Sequence, residues 1–346
     1  MKLLIDDAVY AYKEIFSTFG EVITLPGSDI NRDTLGNCDA LIVRSRTQVD
    51  EALLKDSNIR FVGSTVAGLD HVDEQYLQNN SITFTSAQGC NANSVAEYVI
   101  SALANLAEDF DFDLSTKTLG IVGVGNVGKR LNFKAKQLGI TTLLNDPPRQ
   151  DEETSRDYVD LSTAISADII SFHVPLTHTG KYPTFNLLGG HNFDCISKGT
   201  IVINAARGGV IDENIWQETQ TMANVIDCWD NEPNINQALQ HSAYWATPHI
   251  AGHSVDAKFM GSYMVYQDLC AFTGSPENAK IKNLINPAVR AIEQSSLKDS
   301  LNAIYSFIDD DKAITDASNF EHYRRHYPKR FEWQHFDSSY TLPSGL

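Results

Sequence analysis

Three polar residues of the 346-residue chain stand directly after short apolar runs, and their types suit one another. Arg207 lies in Asn204-Ala205-Ala206-Arg207-Gly208-Gly209, Glu232 in Asp227-Cys228-Trp229-Asp230-Asn231-Glu232-Pro233, and His249 in Thr247-Pro248-His249-Ile250-Ala251-Gly252. A side chain just past a strand of an open α/β sheet sits where such sheets bind ligands. A His paired with a carboxylate can take a hydroxyl proton, because the carboxylate orients the ring and balances its charged form. An Arg can grip a neighbouring carboxylate through two N–H bonds and polarise the adjoining oxygen. Singly, each residue has an ordinary explanation: a solvated Arg, a turn Glu before Pro, a structural His. Together, beside a hydride acceptor, they would oxidise a secondary alcohol next to a carboxylate.

A site for such an acceptor is written in Gly123-Val124-Gly125-Asn126-Val127-Gly128, a GxGxxG hexamer. The hexamer alone is weak, but it follows the apolar run Leu119-Gly120-Ile121-Val122 and opens a helix whose Val127, Leu131, Ala135 and Leu138 share a face. Gly123 suits a tight turn, Gly125 lets backbone approach a pyrophosphate, and Gly128 packs helix on strand. The N–H groups of the first turn, with Asn126 and Val127, would hold the phosphate. Asp146 follows eighteen residues after Gly128 at the end of a second apolar run. A carboxylate there accepts from a ribose 2′-hydroxyl and repels a 2′-phosphate, which favours NAD over NADP, although Arg149 lies close by.

The elements that must position these groups have a parallel α/β rhythm. Strands are expected at Lys2–Asp6, Ala40–Arg44, Ile59–Gly63 and Ile82–Thr85, and again at Thr118–Gly123, Thr141–Asn145, Asp168–Phe172, Thr200–Asn204 and Ala223–Asp227. Tyr10–Phe19 reads as an amphipathic helix. Ser94 followed by Glu97 reads as a capping box for a helix over 94–107, and Asp256–Gly274 as a further helix ended by Gly274-Ser275-Pro276. The pattern is that of doubly wound sheets.

Composition narrows the function further. With 44 acidic against 27 basic residues the net charge is −17, a field that repels polyanions and disfavours nucleic acid or an anionic membrane as partner. The five cysteines lie at least 33 residues apart, so neither a CxxC pair nor a zinc knuckle is spelled out, and no metal site is expected. Scattered cysteines, an early Asp6-Asp7 and the lack of a membrane-length apolar run point to the cytoplasm. The tail interleaves Arg324, Arg325, Lys329 and Arg330 with Tyr323, Tyr327 and Trp333, while residues 281–346 balance 8 basic against 9 acidic groups. Aromatic anchors with Arg in a neutral segment suit a homodimer contact better than an RNA surface.

These residues resemble the D-2-hydroxyacid dehydrogenase family of the formate and phosphoglycerate dehydrogenase type, with Arg207, Glu232 and His249 on its catalytic motifs. The resemblance spans nearly the whole chain. Closer features, Val43-Arg44-Ser45, Ala67-Gly68-Leu69-Asp70-His71-Val72-Asp73, Gly89-Cys90-Asn91-Ala92 and Asp146-Pro147-Pro148-Arg149, resemble one member of that family, and the aromatic tail is similar to that member's C-terminal dimerisation segment, which the others lack. The resemblance implies a Rossmann-type NAD-binding domain over 94–255 inserted into a flavodoxin-like substrate domain of 1–93 and 256–280. A small α+β dimerisation segment over 281–346 would follow. The cofactor implied is NAD, contacted by the glycine loop, Asp146, Val174, Ala206, Asp227 and Gly252. Arg207 and Glu232 become active-site residues and His249 the proton carrier. The substrate implied is a small phosphorylated 2-hydroxy acid, met by Ser45, Thr65, Val66 and His253. Arg44 and Ser45 are the favoured phosphate donors; adding Arg46 requires that the strand has ended by Ser45. Val66, Val174 and His253 replace a Thr, a Thr and a Tyr expected there. The resemblance also raises a 2-oxo acid as reoxidant of tightly held cofactor. A dehydrogenase for 3-phosphoglycerate, or an NAD-sensing binding protein on the same fold, are the competing expectations.

Overall fold

The computed structural model describes residues 1–153, 157–285, 289–294, 296–338 and 341–343. The chain divides into two compact units, Met1–Asn91 with Ser254–Ala288, and Ala92–His253 with Val289–Leu346. The second thus interrupts the first after Asn91 and resumes beyond it at Val289.

The first unit is built on β1 (Lys2–Asp6), β2 (Glu21–Leu25), β3 (Ala40–Val43), β4 (Phe61–Ser64) and β5 (Thr83–Ser86). All pairs are parallel and the order is β2-β1-β3-β4-β5, the flavodoxin-like winding. Leu3, Ile5, Ala40, Ile42 and Phe61 bury one face beneath the Val255–Thr273 helix, which Ser254 caps and Gly274 ends in the left-handed region. The expected Tyr10–Phe19 helix contracts to Tyr12–Phe16 plus one 3-10 turn, because Gly20 at φ 138 turns the chain into β2. β2 is not among the expected strands, and its lone edge pairing leaves it half-buried.

The second unit holds β6 (Thr118–Val122), β7 (Thr141–Asn145), β8 (Ile169–Phe172), β9 (Ile201–Asn204), β10 (Ala223–Ile226) and the two-residue β11 (Trp245–Ala246). The sheet is again parallel, ordered β11-β10-β9-β8-β6-β7, so its direction of winding reverses between β6 and β8. Its apolar interior runs through Leu119, Ile121, Ile169, Ile201 and Val225 to the buried face of the Ala92–Asp109 helix. After residue 289 the chain adds a two-stranded parallel pair, β12 (Arg290–Ile292) with β13 (Phe336–Ser338), and short helices including Leu297–Ile304 and Ala317–Arg325.

The capping box at Ser94 is not formed. The helix starts at Ala92, which places Ser94 inside its first turn. Ser94 Oγ instead donates to Glu332 Oε1 at 2.6 Å, and Glu97 accepts from the Trp333 N–H at 3.2 Å. Both side chains are claimed by the tail, a partnership that local spacing does not encode.

Candidate active site

The glycine loop leaves β6 where the sheet reverses its winding, the place at which doubly wound sheets bind nucleotides. A Cβ at Gly128 would stand 2.1 Å from the Gly123 carbonyl oxygen, so only glycine lets the Asn126–Gln137 helix pack there. At Gly125 a Cβ would meet open space, which leaves the backbone accessible to a pyrophosphate. Asp146 braces this loop: its Oδ2 accepts from the Val124 N–H at 2.7 Å and its Oδ1 caps the next helix through the Arg149 N–H. The Arg149 side chain turns to Glu153 at 3.1 Å and to Asp146 at 3.6 Å. It is thereby committed to carboxylates, which fits the unphosphorylated ribose of NAD. The open cradle and the braced carboxylate fit a dinucleotide. Val174 follows β8 and is half-buried, and Ala206 follows β9 with its N–H donating to Asn204 Oδ1 at 3.2 Å.

The proposed proton-transfer pair is formed. His249 Nδ1 lies 2.9 Å from Glu232 Oε2 and 3.1 Å from Oε1, and the Trp229 N–H donates to Oε1 at 2.9 Å. Burial would push the Glu232 carboxyl up, but the His249 charge, its hydrogen bond and the Trp229 N–H outweigh this and hold it below the usual carboxylate range. Glu232 is therefore a carboxylate at neutral pH. His249 itself has φ 52, a left-handed backbone uncommon outside glycine, and such strain concentrates at functional sites.

The loop carrying His249 is fixed by a hub beneath it. Asp227, fully buried after β10, accepts from Thr247 Oγ1 at 2.7 Å, the Ile250 N–H at 2.7 Å and the Ala251 N–H at 3.0 Å. Tyr98 pairs its hydroxyl with Thr247 Oγ1 at 2.8 Å, and Trp229 Nε1 donates to the Thr247 carbonyl at 3.0 Å. The Asp227 carboxylate is thus engaged in shaping this turn. Tyr98 and Thr247 escaped the sequence reading, which had no spacing signal for a contact across 149 residues.

Arg207 is placed by the turn after β9, where Asn204 Nδ2 donates to both the Arg207 and Cys228 carbonyls. A Cβ at Gly208 would lie 2.0 Å from the Trp229 oxygen, so glycine brings this turn against the one carrying Glu232. Burial, then the Asp227 and Glu232 carboxylates, raise the Cys228 thiol well above its ordinary value, and Arg207 pulls the other way. Cys228, Glu232 and His249 place ligand atoms within 4.8 Å of one another, and two of the three, Glu232 and His249, are already hydrogen-bonded to each other.

In the first unit, β3 ends at Val43, so the condition set for Arg46 is met and Arg44, Ser45 and Arg46 all lie beyond the strand. Arg44 is half-buried and its charge acts on Asp6 at the neighbouring end of β1; Ser45 is exposed. Val66 is half-buried. Thr65 is buried with its hydroxyl on the Val43 carbonyl at 3.3 Å, turned to the backbone. In the second unit, Gly252 and His253 are half-buried, and the His253 ring meets Tyr327 edge-on at 5.6 Å.

Residues 99–251 match the family described as D-isomer specific 2-hydroxyacid dehydrogenase, NAD binding domain. An erythronate-4-phosphate dehydrogenase of Ruthia magnifica is 57% identical, with 99% of each chain covered. The chain belongs to the D-isomer-specific 2-hydroxyacid dehydrogenase family. An erythronate-4-phosphate dehydrogenase of Hydrogenovibrio crunogenus is 52% identical over 96% of this chain and 92% of its own. Among solved structures, the NAD-bound 3-phosphoglycerate dehydrogenase of Entamoeba histolytica shares the fold, with TM-score 0.66 and 24% identity over 83% of this chain and 99% of its own. The protein is an NAD-dependent dehydrogenase of a CH–OH group. Among the described residues no helix is long and apolar enough to cross a membrane.

Proposed function

We propose that the chain oxidises 4-phospho-D-erythronate at its 2-hydroxyl to (R)-3-hydroxy-2-oxo-4-phosphooxybutanoate, a step of pyridoxal 5′-phosphate biosynthesis. The observation that carries this reading is His249 Nδ1 within hydrogen-bond reach of both Glu232 oxygens, joined to near full-length identity with erythronate-4-phosphate dehydrogenases. NAD, when bound, supplies the hydride acceptor. With Nδ1–H donated to Glu232, the His249 ring presents Nε2 to the substrate hydroxyl and takes its proton. Glu232 fixes the ring's orientation and balances the imidazolium. Arg207 grips the substrate carboxylate. In the first unit, Arg44 and Ser45 are the proposed anion-binding groups; in the second, His253 is a further donor for phosphate.

The remaining assignments rest on the same reading. Gly123, Gly125, Asn126, Val127, Gly128, Asp146, Val174, Ala206, Asp227 and Gly252 form the proposed NAD-contacting set, and Thr65 and Val66 line the proposed substrate side of the first unit. The working assembly is a cytoplasmic homodimer made through the C-terminal segment, with a 2-oxo acid reoxidising the cofactor.

The test is incubation of purified protein with NAD and 2-oxoglutarate, offering 4-phosphoerythronate or 3-phosphoglycerate in parallel, with products followed by mass spectrometry. Preference for 4-phosphoerythronate is expected. Turnover of 3-phosphoglycerate alone would reassign the substrate, and NAD binding without either reaction would favour a sensor.

A further inference from the structure

Asp227 takes two N–H groups of the His249 loop, and a carbonyl of the same loop is met by the tail. Arg330 is buried, and its Nη2 donates to the Ala251 carbonyl at 2.5 Å and to the Ser94 carbonyl at 3.1 Å. Ala251 is two residues from His249 and its N–H is already on Asp227, so this one residue is held at both its N–H and its carbonyl. The second acceptor, Ser94, belongs to the first turn of the Ala92–Asp109 helix, the longest element of this unit. One guanidinium therefore ties the loop to a rigid support.

The support is itself fastened around Arg330. Its guanidinium lies over the Tyr305 ring at 4.6 Å. Three residues earlier, Tyr327 packs against His253 and donates to Asp310 Oδ2 at 2.9 Å. Two residues later, Glu332 accepts from Ser94 Oγ at 2.6 Å and Asn93 Nδ2 at 2.7 Å. Trp333 then donates its N–H to Glu97 and lies under the Lys134 ammonium at 4.7 Å. A buried cation is a costly fastener for a tail that Trp333, Tyr305 and Phe320 already anchor by apolar burial. What the guanidinium adds is direction, two carbonyls held from one nitrogen, Nη2, at the end of a planar group, which an apolar side chain cannot reproduce.

We infer that Arg330 is a positioning residue for the reaction: the C-terminal segment, through Arg330, fixes the loop that presents His249. The inference rests on the assignment of His249 as proton carrier. It gives the tail a function within its own chain, and it explains why a segment more than seventy residues beyond the loop contributes a buried charge to it.

Arg330→Met and Arg330→Lys are made in the full chain, each alone and each combined with His249→Ala. Readouts are kcat and KM for 4-phosphoerythronate, NAD affinity by calorimetry, and thermal unfolding. Arg330→Met is expected to lower kcat by about 10- to 100-fold, the scale of a misplaced catalytic group, with KM and NAD affinity changed by less than about threefold. Arg330→Lys should fall between that variant and the parent. In the His249→Ala background the same changes should cost less than about threefold, because nothing remains to be positioned. The proposal is overturned if both single variants keep kcat within about twofold, if the loss is undiminished in the His249→Ala background, if only NAD affinity falls, or if neither variant folds. Near-parental turnover by His249→Ala alone would instead remove the site assignment itself, and the inference with it.

Discussion

Two imidazoles stand just past strands of the same parallel sheet, His173 after β8 and His249 after the two-residue β11, and their surroundings give them opposite capacities. His173 Nε2 shares a hydrogen bond with Ser171 Oγ at 2.9 Å, and its Nδ1 has no partner among the described residues. Among the described residues no carboxylate balances a charge there, and burial holds its pKa down to about 3. His249 instead faces both oxygens of an ionised Glu232, itself fixed by a backbone N–H. One ring is confined to its neutral form, while the other has a counter-charge ready for the proton that oxidation of an alcohol releases. Position just past a strand's carboxyl end is common to both; the carboxylate makes the difference.

Removing that carboxylate should make His249 resemble His173. Glu232→Gln keeps the shape but not the charge, and kcat is expected to fall by about 10²- to 10³-fold while NAD affinity holds within about threefold. Steady-state turnover and calorimetry on the same preparation check this, and a loss under about fivefold would mean that the charge is dispensable. A smaller effect tests the other ring. The unfolded chain takes up a proton on His173 near pH 6.5, whereas the folded protein refuses it until about pH 3. Below about pH 6.5 the unfolded state therefore binds more protons, so stability falls as pH drops through that window and returns as pH rises. His173→Asn should flatten the decline of the urea midpoint between about pH 6.5 and 5, and an unchanged slope would mean that His173 is not held neutral.

The same two regions show what a sequence can carry. The surroundings of β8 and the glycine loop are local: turn, close packing and the Asp146 brace arise from residues within one βαβ unit, so GxGxxG and an Asp at the right distance were readable. Arg207 and Glu232 were legible as types a few residues after apolar runs that are strands, and His249 as a type suited to pair with a carboxylate, although its own strand β11 was not legible. The support of the His249 loop was not legible. Tyr98 reaches Thr247 across 149 residues, and Arg330 reaches Ala251 across 79, separations that no periodicity marks. In the sequence Arg330 looks like part of an amphipathic contact surface, because burial of a guanidinium depends on carbonyls the chain gathers only on folding. Ser94 and Glu97 were misread for a related reason: their spacing fits a capping box, but Glu332 and Trp333 offer partners that outcompete the helix's own N-terminus. Short edge strands such as β2 and β11 escaped because half-burial weakens their apolar signal.

The most direct test of the catalytic assignment is turnover of 4-phosphoerythronate by His249→Ala, read as 2-oxo acid formed and set against NAD affinity of the same variant. A proton carrier held by Glu232 requires a fall in turnover of about 10²- to 10⁴-fold with NAD affinity within about threefold of the parent. Turnover near that of the parent would contradict it and place the proton transfer on another group.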